Sequence, residues 1–123
     1  MLALSHKKLD VYILALKLNK EIYIATSKFA AEEKYVLVSQ LRRASISVCS
    51  NIAEGEARIS KTEKKRFYEI ARSSAVEIDT QFEIALSLNY ITTSQIVEIE
   101  SSLESVFRML SKMISNLENK APH

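Results

Sequence analysis

The sequence predicts an all-α protein, an up-down-up-down four-helix bundle. One glycine and one proline in 123 residues leave few places for turns. Apolar residues recur at helical spacing through four long segments. Two capping-box patterns, Ser60-Lys-Thr-Glu63 and Thr92-Thr-Ser-Gln95, mark helix starts behind short connections, and long helices joined by short links pack antiparallel. The length fits one domain, residues 1–123, with no internal repeat, low-complexity tract or boundary.

The first helix is expected over residues 5–28 with Ser5 as its N-cap. Leu9, Tyr12, Ile13, Leu16 and Tyr23 form one apolar stripe, and Val11, Ala15, Leu18, Ile22 and Phe29 form another on nearly the opposite side. A helix apolar on two faces is buried on two faces, so the second face calls for another subunit. Phe29 to Tyr35 is the connection, with room for a short helical turn.

The second helix, residues 36–58, carries a core stripe of Leu37, Leu41, Ala44, Val48, Ile52 and Gly55. Opposite lie Ile46, Ala53 and Ala57 with Ser39 and Ser50, small enough for close approach by another helix. The oligomer interface is therefore assigned to Leu18, Ile22, Ile46 and Ala53. Beside the core stripe runs a polar row, Gln40, Arg43, Ser47, Asn51, Glu54 and Arg58. Half-buried polar groups cost about 1 to 3 kcal/mol each when unpaired, so the facing helix must answer them, with Arg66, Ser73, Glu77 and Gln81 as candidates. Arg43, Asn51, Glu54, Arg58 and Glu77 are expected to form one structural polar network.

The third helix, residues 61–89, is expected to bury Phe67, Ile70, Ala71, Ser74, Ile78, Phe82 and Ala85, and to expose Lys65, Glu69, Arg72, Asp79 and Glu83. The fourth, residues 93–119, buries Ile96, Ile99, Leu103, Val106, Phe107, Leu110, Ile114 and Leu117. Both read as apolar on one side only. The tail from Asn119 to His123 is expected to fray.

Charge is unevenly placed in a chain of net charge +2. Between residues 58 and 72, six basic residues stand against Glu63 and Glu69, a local charge of +4. Residues 73 to 91 carry Glu77, Asp79 and Glu83 with no base, a local charge of −3. Arg58, Lys61, Lys64, Lys65 and Arg66 are thus candidate phosphate contacts for nucleic acid, with Tyr68 as a stacking surface. The competing reading is a solvated helix start, because acidic residues are interleaved.

Catalytic and metal chemistry find no foothold in the pattern. Glu54 and Glu77 could act as an acid/base pair, but the arginines on the same rows account for them as a structural network. No nucleophile has a nearby histidine, and no glycine-rich phosphate loop exists. His6 and His123 lie at opposite ends and the single Cys49 reads as a small buried hydrophobe, so neither a metal site, a cofactor nor an intrachain disulfide is expected. No signal-peptide pattern and no apolar run of membrane-spanning length are present, which predicts a cytoplasmic protein without a membrane partner.

Gln40-Leu-Arg-Arg-Ala-Ser-Ile-Ser-Val48, followed by Asn51-Ile-Ala-Glu-Gly55, Arg58, Arg66-Phe67, Ile70-Ala71 and Ser74 to Glu77, resembles the bacterial four-helix-bundle family of 23S rRNA intervening-sequence proteins. The similarity of layout covers nearly the whole chain. Members are encoded within intervening sequences of 23S rRNA genes or elsewhere in bacterial genomes, and their biochemical role is not established. Relatives in fold include the accessory proteins of diversity-generating retroelements, which form pentameric barrels and interact with nucleic acid and a reverse transcriptase. The resemblance implies a cytoplasmic bundle assembled as a homopentameric ring, with RNA or DNA as a partner, and it does not imply catalysis. This chain departs from the pattern at Ala30 and Ala31, where a proline is expected, and at Glu54-Gly-Glu-Ala-Arg58, which replaces a glycine-richer run. That second departure argues against a flexible ligand loop at the end of the second helix. Two functions remain open: an oligomeric nucleic-acid-binding accessory protein, and a scaffold that engages a protein partner without binding nucleic acid.

Overall fold

In the computed structural model, which describes residues 1–118, four α-helices account for the architecture: α1 (Asp10–Thr26), α2 (Ser39–Ala57), α3 (Lys61–Ser87) and α4 (Thr93–Glu118). No strand occurs among the described residues. Side-chain pairs give the directions. Asn19 donates to Ser45 and Arg42 to Thr26, so α1 and α2 run antiparallel. Ser74 donates to Ser47 and Gln81 to Gln40, which makes α2 and α3 antiparallel. Arg72 reaches Ser111 and Lys65 reaches Glu118, which does the same for α3 and α4. Helix α1 packs on α4 as well as on α2, closing a square in which α1–α2 and α3–α4 form opposite sides. The expected up-down-up-down bundle is the one observed. The expected fraying of residues 119 to 123, and the last residue of the fourth helix, lie outside the described residues.

Both capping boxes form. The Glu63 amide donates to Ser60 Oγ at 3.0 Å. Thr92 and Gln95 exchange bonds, Thr92 N to Gln95 Oε1 at 2.9 Å and Gln95 N to Thr92 Oγ1 at 3.3 Å. Helix α3 ends in a Schellman motif: Asn89 takes φ 62°, and the Tyr90 and Asn89 amides donate to Ala85 and Leu86 carbonyls. Asparagine tolerates the left-handed region nearly as well as glycine, so a chain with one glycine can still turn here.

The first helix starts later than the sequence suggests. Ser5 opens a single 3₁₀ turn (Ser5–Lys8), Leu9 is extended, and α1 begins at Asp10. Ser5 therefore does not cap α1. In the connection, a 3₁₀ turn (Ala31–Glu33) leads into a π-helical turn (Lys34–Val38) that runs straight into α2. Arg58, at φ −77° and ψ 149°, stops α2.

The core is one cluster to which all four helices contribute. The predicted α2 stripe, Leu37 through Gly55, is buried throughout. On α1 the buried stripe is Val11, Ala15, Leu18 and Ile22, continued past the helix end by Phe29. This corrects the interface assignment: Leu18 and Ile22 are each 0% exposed within the single chain, where burial of such a side chain contributes about 1.5 to 3 kcal/mol, and they are not available to another subunit. Of the other stripe, Ile13 is 54% and Leu16 47% exposed, while Leu9 and Tyr12 pack partly against the core. On α2, Ile46 is exposed and Ala53 half-buried, so the outer apolar face is shared by the two helices.

Helix α3 is rotated from its expected setting. Tyr68 and Ala75 are buried, whereas Phe67 is only half-buried and Ile70 exposed. Phe107 of α4 is also exposed, as are Val76 and Ile84 of α3, so these helices are not apolar on one side only. The rotation follows from Gly55. A Cβ at that position would stand 2.5 Å from Tyr68 Cε1 and 2.8 Å from Cδ1, so glycine admits the tyrosine ring against the α2 backbone.

Gly55→Ala should therefore destabilise the protein by about 1 to 2 kcal/mol, because overpacking outweighs the roughly 1 kcal/mol that alanine gains in helix propensity. Urea unfolding measures it. A stabilised Gly55→Ala would show that the ring moves aside freely.

Candidate nucleic-acid interface

The basic candidates gather at the corner where α2 ends and α3 begins. Helix α2 finishes with carbonyls that have no helical partner, and Lys64 supplies one: its Nζ donates to the Glu56 carbonyl at 2.9 Å and to the Gly55 carbonyl at 3.3 Å. Lys64 is thereby a structural cap. Its neighbour Lys65 pairs with Glu118 of α4 at 2.9 Å, which holds its pKa above the ordinary lysine range through that hydrogen bond.

Arg58 and Arg66 flank one aromatic ring. Their guanidinium carbons lie 4.8 and 4.4 Å from the Phe67 ring centre. Each also holds a carboxylate, Arg58 to Glu54 at 2.8 Å and Arg66 to Glu63 at 3.2 Å. The Arg66 hydrogen bond lowers the Glu63 pKa. Lys61 has neither an ion pair nor a side-chain hydrogen bond among the described residues, and it is exposed. The corner thus presents Arg58, Lys61 and Arg66 around the half-buried Phe67, while Lys64 and Lys65 are engaged with the fold. Tyr68 is not a stacking surface: it is 3% exposed beneath Gly55, with its hydroxyl donating to Glu56 at 3.4 Å.

The polar row of α2 does not form one network. Its upper part is zipped to α3 by the Gln40–Gln81 and Ser47–Ser74 contacts, and Asn51 donates to the Ser47 carbonyl and hydroxyl. Ser74 takes the place expected of Ser73, because the rotation of α3 turns Ser73 to the surface. Arg43 and Glu77 border a shallow groove between the helices. Glu54 and Arg58 form a separate exposed pair one turn apart on α2, and α3 does not join it. The reason is length: by Glu54 the two helices have closed to the Gly55–Tyr68 contact, and the longer side chains at that end turn outward.

Burial settles the character of two further groups. Desolvation pushes the Cys49 thiol up to about 11, so it stays protonated and poorly nucleophilic near neutral pH. The Tyr68 phenol is pushed up to about 12, first by desolvation and then by the Glu56 carboxylate. None of the described helices is long and apolar enough to cross a membrane, and no cluster of three or more His, Cys, Asp or Glu fit to hold a metal occurs among the described residues.

Of the motif residues, Gln40, Ser47 and Ser74 bond α2 to α3, Gly55 admits the Tyr68 ring, and Asn51 braces Ser47 within α2. The family model of the 23S rRNA-intervening sequence protein matches residues 7–112. The chain belongs to that family. A crystal structure of a protein with unknown function from the S23 ribosomal protein family of Bacteroides thetaiotaomicron VPI-5482 is similar, at 25% identity over 85% of this chain and 97% of that one, with a TM-score of 0.78. No curated protein matches the chain. Family membership confirms the resemblance carried by the α2 and α3 motifs, and the family's bundle is the fold observed.

Two outcomes follow. Glu54→Ala should cost at most about 1 kcal/mol, since both members of its pair are solvent-exposed; thermal unfolding that reveals a much larger loss would restore the single buried network. Tyr68 ionises near 10 when unfolded and about 12 when folded, so stability should fall as pH rises from 10 towards 12. Tyr68→Phe should lose less stability across that window, as measured by denaturant midpoints.

Proposed function

We propose that the protein is a non-enzymatic, self-assembling helical bundle that binds RNA or DNA backbones through the α2–α3 corner. The observation that carries the assembly part is the outer face of α1 and α2. Ile13, Leu16, Tyr23 and Ile46 are exposed along two adjacent helices, and contiguous apolar surface of that kind marks an interaction site. A closed homo-oligomeric ring, a homopentamer by the family resemblance, would cover it.

Nucleic-acid binding rests on Arg58, Lys61 and Arg66, grouped around Phe67, and on the family's association with intervening sequences of 23S rRNA. The carboxylates that hold the two arginines do not block this use, because exposed ion pairs contribute only about 0 to 1 kcal/mol and exchange readily for a phosphate. Lys64 and Lys65 contribute field more than contact. Repetition of the corner in an assembly multiplies weak contacts. The resident compartment consistent with this reading is the cytoplasm.

The alternative is a scaffold that engages a protein partner without nucleic acid, favoured by the internal pairing of four of the five basic residues. Filter binding of structured RNA and duplex DNA at varied salt decides between them. Affinity should fall with salt at a log-log slope of about −0.9 per duplex phosphate neutralised. Lys61→Ala with Arg66→Ala should reduce the steepness by about two. Absence of retention at low salt would leave the scaffold reading.

A further inference from the structure

A groove along the outer side of α3 and α4 is apolar in its floor and acidic at its rim. Two adjoining hollows share Asp79, Glu100 and Leu103, so they make one channel. Val76, Phe82, Leu103 and Phe107 lie in the floor, with Val76 51% and Phe107 41% exposed. The rim carries Asp79 and Glu83 from α3 and Glu100 and Glu104 from α4. Between Ser73 and Phe107 the chain has six carboxylates and no lysine, arginine or histidine. The bases that flank this stretch are both engaged: Arg108 pairs with Glu104 at 3.5 Å and Arg72 donates to Ser111 at 3.3 Å. Such a field repels nucleic acid and attracts a cationic apolar surface.

The same chain presents that surface on the opposite side of the bundle. The α1–α2 face sets Ile13, Leu16 and Ile46 beside Lys17 and Lys20, all exposed. Lys17 has only a loose contact with Glu21, at 3.9 Å. We infer that the occupant of the α3–α4 groove is the α1–α2 face of a second copy of this chain. Apolar meets apolar, and lysines meet the carboxylate rim. The two patches differ and lie on opposed sides, so the contact is heterologous: each copy offers a free groove and a free face, and the array grows until rotation closes it into a ring. A symmetric dimer face to face would instead bring Lys17 and Lys20 against their own copies.

This inference rests on the self-assembly proposed above, and mass photometry or sedimentation of the full chain separates the two. Glu83→Lys with Glu100→Lys should weaken association by about 100-fold or more, since like charges brought together at an interface cost several kcal/mol. Lys17→Glu with Lys20→Glu should do the same. The chain carrying all four substitutions, its charges exchanged between groove and face, should assemble again, which a folding defect would not allow. A monomeric wild type at micromolar concentration would remove the assembly reading itself. A multimeric wild type whose assembly survives both reversals, or whose fourfold variant fails to recover while its helical content and melting temperature are unchanged, would overturn the groove-to-face contact alone.

Discussion

The close approach of α2 and α3 at Gly55 is the constraint from which most other features descend. Removing one side chain lets the Tyr68 ring lie on the α2 backbone, and a ring of that size fixes both the separation and the rotation of α3. From that setting come the burial of Ala75 in place of Ile70, the alignment of Ser74 with Ser47, and the Gln81 contact to Gln40. The family motif is best understood as the set of residues that two tightly packed helices need along one seam. Small hydroxyls and amides fill it because they satisfy each other without pushing the helices apart.

The same contact shapes the corner above it. With the helices drawn together, the end of α2 projects its last carbonyls towards the first turn of α3, where Lys64 reaches them. One of the five basic residues is thereby committed to the fold, and a second, Lys65, is committed across to α4. What remains available is narrower than a run of like charge suggests: two arginines beside one ring and a lysine without an ion pair among the described residues. A stretch of sequence with net positive charge thus becomes a small, defined constellation of two guanidinium groups and one ammonium beside an aromatic ring.

Charge and apolar surface are organised on a larger scale by the closing of the square. Helix α1 exposes Lys17 and Lys20 beside Ile13 and Leu16, while the facing stretches of α3 and α4 expose Asp79, Glu83, Glu100 and Glu104 beside Val76 and Phe107. A lone bundle gains nothing from either arrangement. Two opposed and complementary sides give a molecule a direction, which is what head-to-tail association requires.

Much of this was legible along the chain. Helix number, the two capping boxes, the buried stripe of α2 and the family motif all depend on residues close in sequence, and 3.6-residue periodicity with local hydrogen bonds is enough to set them. The sequence also showed that α1 has two apolar faces. Which one turns inward it did not settle, because both stripes, headed by Leu9 and by Val11, are apolar enough to be buried and packing against α2 and α4 decides between them. The rotation of α3 was hidden for a related reason: Phe67 and Tyr68 are both aromatic, and the choice falls to the one that meets a glycine 13 residues earlier in the chain. The pairing of Lys65 with Glu118 and the separation of Glu54 from α3 likewise depend on distances between helices. Periodicity fixed what each helix could bury; mutual packing of the four decided what it did bury, because rotation about a helix axis is free until another helix touches it.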